Sequence, residues 1–259
     1  MHAAPASSRP AGYYVISLRP AGMHGGLRRA AARLGARVFA LPPWRLVALD
    51  DAGTRRTLAA ALDADVVVFT SPAAVRAARA LQPLAPACPA QDWLAVGATT
   101  AAALRRAGIG NACSPVRMTS EGLLALPALA DVRGRRVGLV TAPGGRGVLA
   151  PALAAGGAEV LRADVYTRQP VTPGPARLAA LMQLPDPWLL PLSSAEALER
   201  TLATLPEAAA ARLLRAGVVA ASPRLAARAQ ALGFRDVRCA NDARPAPLLQ
   251  AAMAPRPAS

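Results

Sequence analysis

Short apolar runs of strand length alternate along the chain with alanine- and leucine-rich stretches of helical periodicity. YYVISLRP at 13–20, ADVVVFTSPAAV at 64–75, RVGLVTAP at 136–143 and PWLLPLSSAEAL at 187–198 each begin as a strand and turn into a helix or loop. This alternation predicts an α/β class with parallel layers, because each strand is followed by a helix that covers its sheet. The order also repeats. YYVISLRP, a helix and ARLGARVFALP are matched by RVGLVTAP, a helix and ALAAGGAEVLRADVY: strand, helix, glycine stop, strand. ADVVVFTSPAAV parallels PWLLPLSSAEAL, and LAVGATTAAALRRAG at 94–108 parallels VVAASPRLAARAQALGF at 218–234. A period above about a hundred residues is too long for a solenoid and predicts a duplicated lobe. Repetition alone cuts the chain once, near residue 130.

Two similar lobes imply a cleft, and the strand ends expected to face it carry hydroxyls. They are Thr70-Ser71, Thr99-Thr100, Thr141, Ser193-Ser194 and Ser222, with Arg19 at the end of the first strand. In an open α/β sheet, ligands bind outside the carboxyl ends of the strands. Hydroxyls and helix-start N–H groups there would hold anionic oxygens. The plain alternative for each is a helix N-cap, since a serine or threonine oxygen satisfies an orphan N–H of the first turn.

Composition narrows the chemistry. The 259 residues carry a net charge of +15, and all thirty basic residues are arginine. They are dispersed along the chain and aromatics make up only 3%, which argues against nucleic acid and for a small polyanionic substrate. Without lysine there is no Schiff base or lysine-bound pyridoxal cofactor, and with only His2 and His24 a histidine triad or metal cluster is not expected. No cofactor and no metal are predicted. The glycine-rich APGGRG at 142–147 lacks the spacing of a phosphate loop. Cys88, Cys113 and Cys239 lie far apart, so neither a disulfide framework nor a zinc site is suggested and a reducing cytoplasm is the expected home. No secretory leader or membrane span is read from the sequence. Residues 1–11 and the proline-rich end after Ala254 are expected to bury little.

The stretches ISLRP at 16–20, VVFTSPAAV at 67–75, AVGATTAAALRRAG at 95–108, SEGLL at 120–124, GGAEVLRADVYTR at 156–168 and AASPRLA at 220–226, in that order, resemble the uroporphyrinogen-III synthases. The resemblance runs along most of residues 14–240. It implies two similar parallel-sheet α/β lobes joined by a two-stranded antiparallel connection, with the active site in the interlobe cleft. The first lobe is then discontinuous, residues 1–42 plus 170–259, and the second is residues 43–169. Prolines in LPPW and RQPV stand at the two crossings. The opening strand is accordingly expected beside Trp188 to Leu192 and Val218 to Ala221.

The implied reaction is dehydrating cyclisation of hydroxymethylbilane with inversion of ring D, by a monomer acting without membrane or nucleic acid and supplied by hydroxymethylbilane synthase. Tyr166 matches the tyrosine of the second crossing, proposed to hydrogen-bond the leaving hydroxyl; a buried hinge tyrosine is its alternative. The resemblance places Thr100 on the cleft and Ser71 at a strand end facing it. Arg19, Thr70, Thr99, Thr141, Ser193, Ser194 and Ser222 complete the expected substrate lining. Two departures stand out: Leu225 replaces a threonine of the first lobe, and Pro191-Leu192 replaces an aromatic and hydroxyl pair before Ser193. Rival readings are a bilobal protein that binds a small anion without transforming it, and a transferase using a nucleotide-activated donor. The latter would want a phosphate turn or a metal-binding acidic pair; Asp50-Asp51 reads instead as a turn before a helix.

Overall fold

The computed structural model describes residues 12–117, 119–144, 147–240 and 242–253. The expectations for residues 1–11 and for the chain after Ala254 lie outside the described residues. In chain order, β1 (Tyr14–Ser17), α1 (Gly25–Ala32) and β2 (Arg37–Ala40) lead into β3 (Trp44–Ala48). There follow α2 (Ala52–Leu62), β4 (Val66–Phe69), α3 (Pro72–Leu81), β5 (Asp92–Ala95), α4 (Ala98–Arg106) and α5 (Ser120–Leu124). Next come β6 (Arg136–Thr141), α6 (Leu149–Ala155), β7 (Glu159–Asp164) and β8 (Tyr166–Pro170). The last third holds α7 (Pro175–Met182), β9 (Trp188–Leu192), α8 (Ala195–Thr204), α9 (Glu207–Leu213), β10 (Gly217–Ala220), α10 (Pro223–Ala231), β11 (Val237–Cys239) and α11 (Pro245–Met253).

The chain forms two compact units: unit 1 runs to Arg45 and resumes at Pro170, and unit 2 is Leu46–Gln169. Unit 1 holds a parallel sheet in the order β11-β10-β9-β1-β2. Unit 2 holds β5-β4-β6-β7, also parallel, extended at the β5 edge by one parallel bridge between Leu94 and Cys113. A third, antiparallel sheet pairs β3 with β8. The single cut near residue 130 is therefore corrected. Each sheet joins the opening strand–helix–strand piece of one sequence half to the closing piece of the other, because β1 pairs with β9 and β6 with β4.

Packing follows the two-residue alternation of strands. All four residues of β4, VVVF, are buried. Val67 and Phe69 join Trp93 and Leu104 on one face of the sheet, whereas Val66 and Val68 join Leu139 and Leu153 on the other. Phe69 stacks on Trp93 with ring centroids 5.8 Å apart. Each such fully buried apolar side chain stabilises the fold by about 1.5–3 kcal/mol. Gly138 lets α2 press directly on β6: a Cβ there would lie 1.8 Å from the carbonyl oxygen of Ala61. No helix among the described residues is long and apolar enough to cross a membrane.

Candidate functional site

Strand order locates the place where each sheet can admit a ligand. In unit 2, β4 connects outward to β5 and β6 connects outward to β7, in opposite directions. The helices that follow, α3 and α6, pack on opposite faces of the sheet. A crevice therefore opens beyond the carboxyl ends of β4 and β6, the topological switch point of the sheet. A cavity of about 230 Å³ lies there, lined by Thr70, Ser71, Thr141, Tyr166 and Arg168 among others.

Each polar group is positioned by a neighbouring element. The β4–β6 register sets Phe69 beside Val140, so the next residues, Thr70 and Thr141, meet side by side, and Thr70 Oγ1 donates to Thr141 Oγ1 at 2.8 Å. Ser71 is extended (φ −159°) and caps α3: its Oγ accepts from the Ala74 N–H at 3.1 Å, with Pro72 opening the helix. The same Oγ lies 3.2 Å from the Tyr166 hydroxyl. Tyr166 opens β8; it is only 6% exposed and belongs to the core cluster of Phe69 and Trp93. It is thus a buried tyrosine and a cavity residue at once.

The cavity also holds two arginines that sequence reasoning passed over. Arg168 follows Tyr166 by two residues on β8, hence on the same side of the strand, and Arg162 on β7 pairs with Asp164 at 2.9 Å. The signal for Arg168 was present in VYTR, where alternation along a strand aligns tyrosine and arginine. For Arg162 an arginine-rich composition hid it.

Thr99 and Thr100 fall elsewhere. Helix α4 begins at Ala98 with Gly97 as its N-cap and no side-chain cap bond, so the capping alternative for both threonines is corrected. The backbone carbonyl of Gly97 receives the Thr100 N–H at 2.9 Å instead. Thr99 is exposed and Thr100 is 3% exposed; neither lines the cavity.

Unit 1 has the same switch point between β1 and β9, with a smaller cavity of about 110 Å³ lined by Arg19, Ser193 and Ser194. Ser194 caps α8, accepting from the Ala197 N–H at 3.2 Å. Burial pushes the Arg19 guanidinium below its ordinary range. Ser222 caps α10, accepting from the Leu225 N–H, and lines neither cavity. Leu225 itself is 5% exposed, at the third position of α10, as Thr100 is in α4. The departure therefore fills a core position. Leu192 is likewise buried, and Pro191 sits within β9 opposite Val219.

His24 was set aside in the sequence, and it is buried. Its Nδ1 lies 2.8 Å from Ser17 Oγ, and both residues are enclosed. Burial, then the charges of Arg28, Arg177 and Arg19, hold its imidazole below the usual 6.5. A bond across seven residues between a strand end and a helix start leaves no periodic trace. No group of three or more His, Cys, Asp or Glu that could hold a metal ion occurs among the described residues.

The family model described as uroporphyrinogen-III synthase HemD matches residues 26–250. The uroporphyrinogen-III synthase of Escherichia coli is 32% identical over 162 residues, 62% of this chain and 66% of that protein. That of Salmonella typhimurium is 34% identical over 164 residues, 62% of this chain and 67% of that protein. The aligned region thus spans about two thirds of each relative's length. Among solved structures, a mutant uroporphyrinogen III synthase from the extremely thermophilic bacterium Thermus thermophilus shares 22% identity, with TM-score 0.59, covering 93% of this chain and 97% of that one. A uroporphyrinogen-III synthetase from Helicobacter pylori shares 14%, with TM-score 0.58, covering 93% and 98%. At these identities the two structures support the fold alone.

Proposed function

Because the chain belongs to the uroporphyrinogen-III synthase family, we propose that it closes hydroxymethylbilane to the type III uroporphyrinogen in tetrapyrrole biosynthesis. The observation that carries this reading is the Tyr166 hydroxyl, held beside Ser71 in a cavity with the Thr70–Thr141 pair at a sheet switch point.

Tyr166 gives its proton to the hydroxyl leaving the ring A carbinol. The C–O bond breaks, the pyrrole nitrogen lone pair supplies the electrons, and water departs to leave an azafulvenium cation that keeps its N–H. Ring D attacks through its substituted carbon to give a spiro intermediate, which breaks and recloses with the ring inverted. Ring D then loses a proton as it regains aromaticity, and that proton restores the phenol. One proton leaves in water and one returns, so the tyrosine ends as it began. General acid assistance of this kind contributes typically about 10²–10⁴-fold.

Unassisted hydroxymethylbilane closes without inversion, since direct attack through the unsubstituted carbon needs no spiro centre. The protein must therefore hold the conformer that favours the other route. Arg168, the threonine pair and the N–H groups opening α3 are suited to the acetate and propionate arms. Each charge-assisted hydrogen bond supplies about 1.5–3 kcal/mol, and about 1.4 kcal/mol already changes a ratio of competing rates tenfold. On the same reading the substrate is delivered by hydroxymethylbilane synthase and the chain works as a cytoplasmic monomer without metal or organic cofactor.

The test is incubation of the purified chain with hydroxymethylbilane, without added metal or nucleotide, followed by oxidation and separation of type I and type III porphyrins. Predominance of type III is expected. A ratio equal to that in buffer, with the protein folded, would overturn the reading.

A further inference from the structure

We propose that Ser71 sets the direction of the Tyr166 proton and is a positioning residue for the reaction. This inference rests on the function proposed above. A serine hydroxyl has one hydrogen and two acceptor sites. One acceptor site of Ser71 is taken by the Ala74 N–H at 3.1 Å, and among the described residues the other polar contact of its Oγ is the Tyr166 hydroxyl at 3.2 Å.

Two arrangements satisfy that contact. If Tyr166 donates to Ser71, its proton is spent on the protein. If Ser71 donates to Tyr166, the phenol proton is left to point at a ligand. The helix favours the second. The ten-residue α3 has no acidic side chain in its first turn, so its positive N-terminal end is not offset there. An oxygen that already accepts an N–H at that end is a poorer second acceptor and a better donor, because hydrogen bonds in a chain polarise one another.

The length of the contact adds a second argument. At 3.2 Å it exceeds the usual 2.7–2.8 Å of a hydroxyl–hydroxyl bond. As Tyr166 surrenders its proton, negative charge builds on its oxygen, and a charge-assisted O–H···O⁻ bond shortens to about 2.5–2.7 Å. Ser71 therefore interacts more strongly with the reacting state than with the resting one, which is the condition for raising turnover rather than affinity. The positive end of α3 reaches the phenolate through this one hydroxyl.

The experiment compares Ser71→Gly, Ser71→Thr, Tyr166→Phe and the double variant Ser71→Gly/Tyr166→Phe. Glycine keeps the extended backbone and is itself a favoured N-cap residue, so the fold survives; a melting curve checks this. Expected are an about tenfold fall in kcat for Ser71→Gly with KM little changed, substantial recovery in Ser71→Thr, and no further fall when Ser71→Gly is added to Tyr166→Phe. Multiplying losses in the double variant, or a loss confined to KM, would overturn the role. If the unaltered chain makes type III product and Ser71→Gly turns over normally, this inference fails alone. If the unaltered chain makes no excess of type III, the function fails and takes this inference with it.

Discussion

At the carboxyl end of β6 the hydroxyl of Thr141 meets Thr70; at the matching place in unit 1, the hydroxyl of Ser17 turns inward to His24. The match is set by backbone bonds: the Val165 N–H donates to the Thr141 carbonyl at 3.0 Å, and the Leu41 N–H to the Ser17 carbonyl at 2.9 Å. One residue further along stand Tyr166 in unit 2 and Pro42 in unit 1. The helix caps are the same in both, Ser71 and Ser194 each accepting from the N–H three residues on. Two copies of one scaffold have thus kept their backbone bonds and caps, while among the described residues only unit 2 sets a phenol and a hydroxyl–hydroxyl pair in its cavity. A capping serine, by itself, says nothing about chemistry. The informative feature is a second polar partner on the same oxygen, as Tyr166 is for Ser71.

The comparison breaks most violently at Gly138, three residues before Thr141, where unit 1 has Tyr14 three residues before Ser17. A Cβ at Gly138 meets the Ala61 carbonyl, whose position is set by helix α2. Gly138→Val should therefore destabilise unit 2 by about 3 kcal/mol or more, overpacking against backbone being harder to relieve than against side chains. A thermal melt indistinguishable from that of the parent would show that α2 can simply lift away.

Next in size is the contrast of Tyr166 with Pro42. Tyr166→Phe should lower turnover about 10-fold to 100-fold, since other ways of losing hydroxide remain. Pro42→Ala should leave it within about twofold, because no proton is held at that position. Equal effects of the two substitutions in a steady-state assay would erase the distinction between the lobes.

The smallest effect concerns His24. Its imidazole is held below 6.5 in the folded chain, so below about pH 6.5 the unfolded chain takes up a proton that the folded chain resists. The stability contributed by neutral His24 is present above that pH and is lost as the pH falls, with a slope of at most about 1.4 kcal/mol per pH unit. Chemical unfolding between about pH 5.5 and 6.5 should show this slope, and His24→Asn should flatten it. A slope unchanged in His24→Asn would assign the dependence to other groups.

Much of the architecture was legible because a strand buried on both faces must read as an apolar run, as VVVF of β4 does. The exchange of pieces between sheets was not legible from the repeat. Whether β1 pairs with β9 or with β4 depends on contacts far apart in the chain, and similar strands satisfy either choice locally; only the family resemblance carried the answer. At the site, Thr70, Ser71 and Thr141 could be picked out as hydroxyls at strand ends, and their grouping with Tyr166 required the β4–β6 register. The cap alternative for Thr99 and Thr100 failed because the helix starts at Ala98, with Gly97, two residues before Thr99, as its N-cap. Ser17 ends β1 and His24 is the N-cap residue of α1, so their bond spans a turn without periodicity and had no pattern to announce it.

The exchanged pairing also orders events at the ribosome. Leu46–Gln169 leaves the exit tunnel as one continuous stretch and can complete its sheet as soon as it has emerged. The strands β1 and β2 are made first, yet their neighbour β9 begins at Trp188, about 140 residues after unit 2 begins. At synthesis rates of about 5–20 residues per second, that gap is about 7–30 s. During it, β1 offers a bare edge, and Val15 and Ile16, buried in the finished fold, have no completed core to enter. The nascent N-terminal piece of strand, helix and strand is therefore the part of this chain with most to gain from a chaperone.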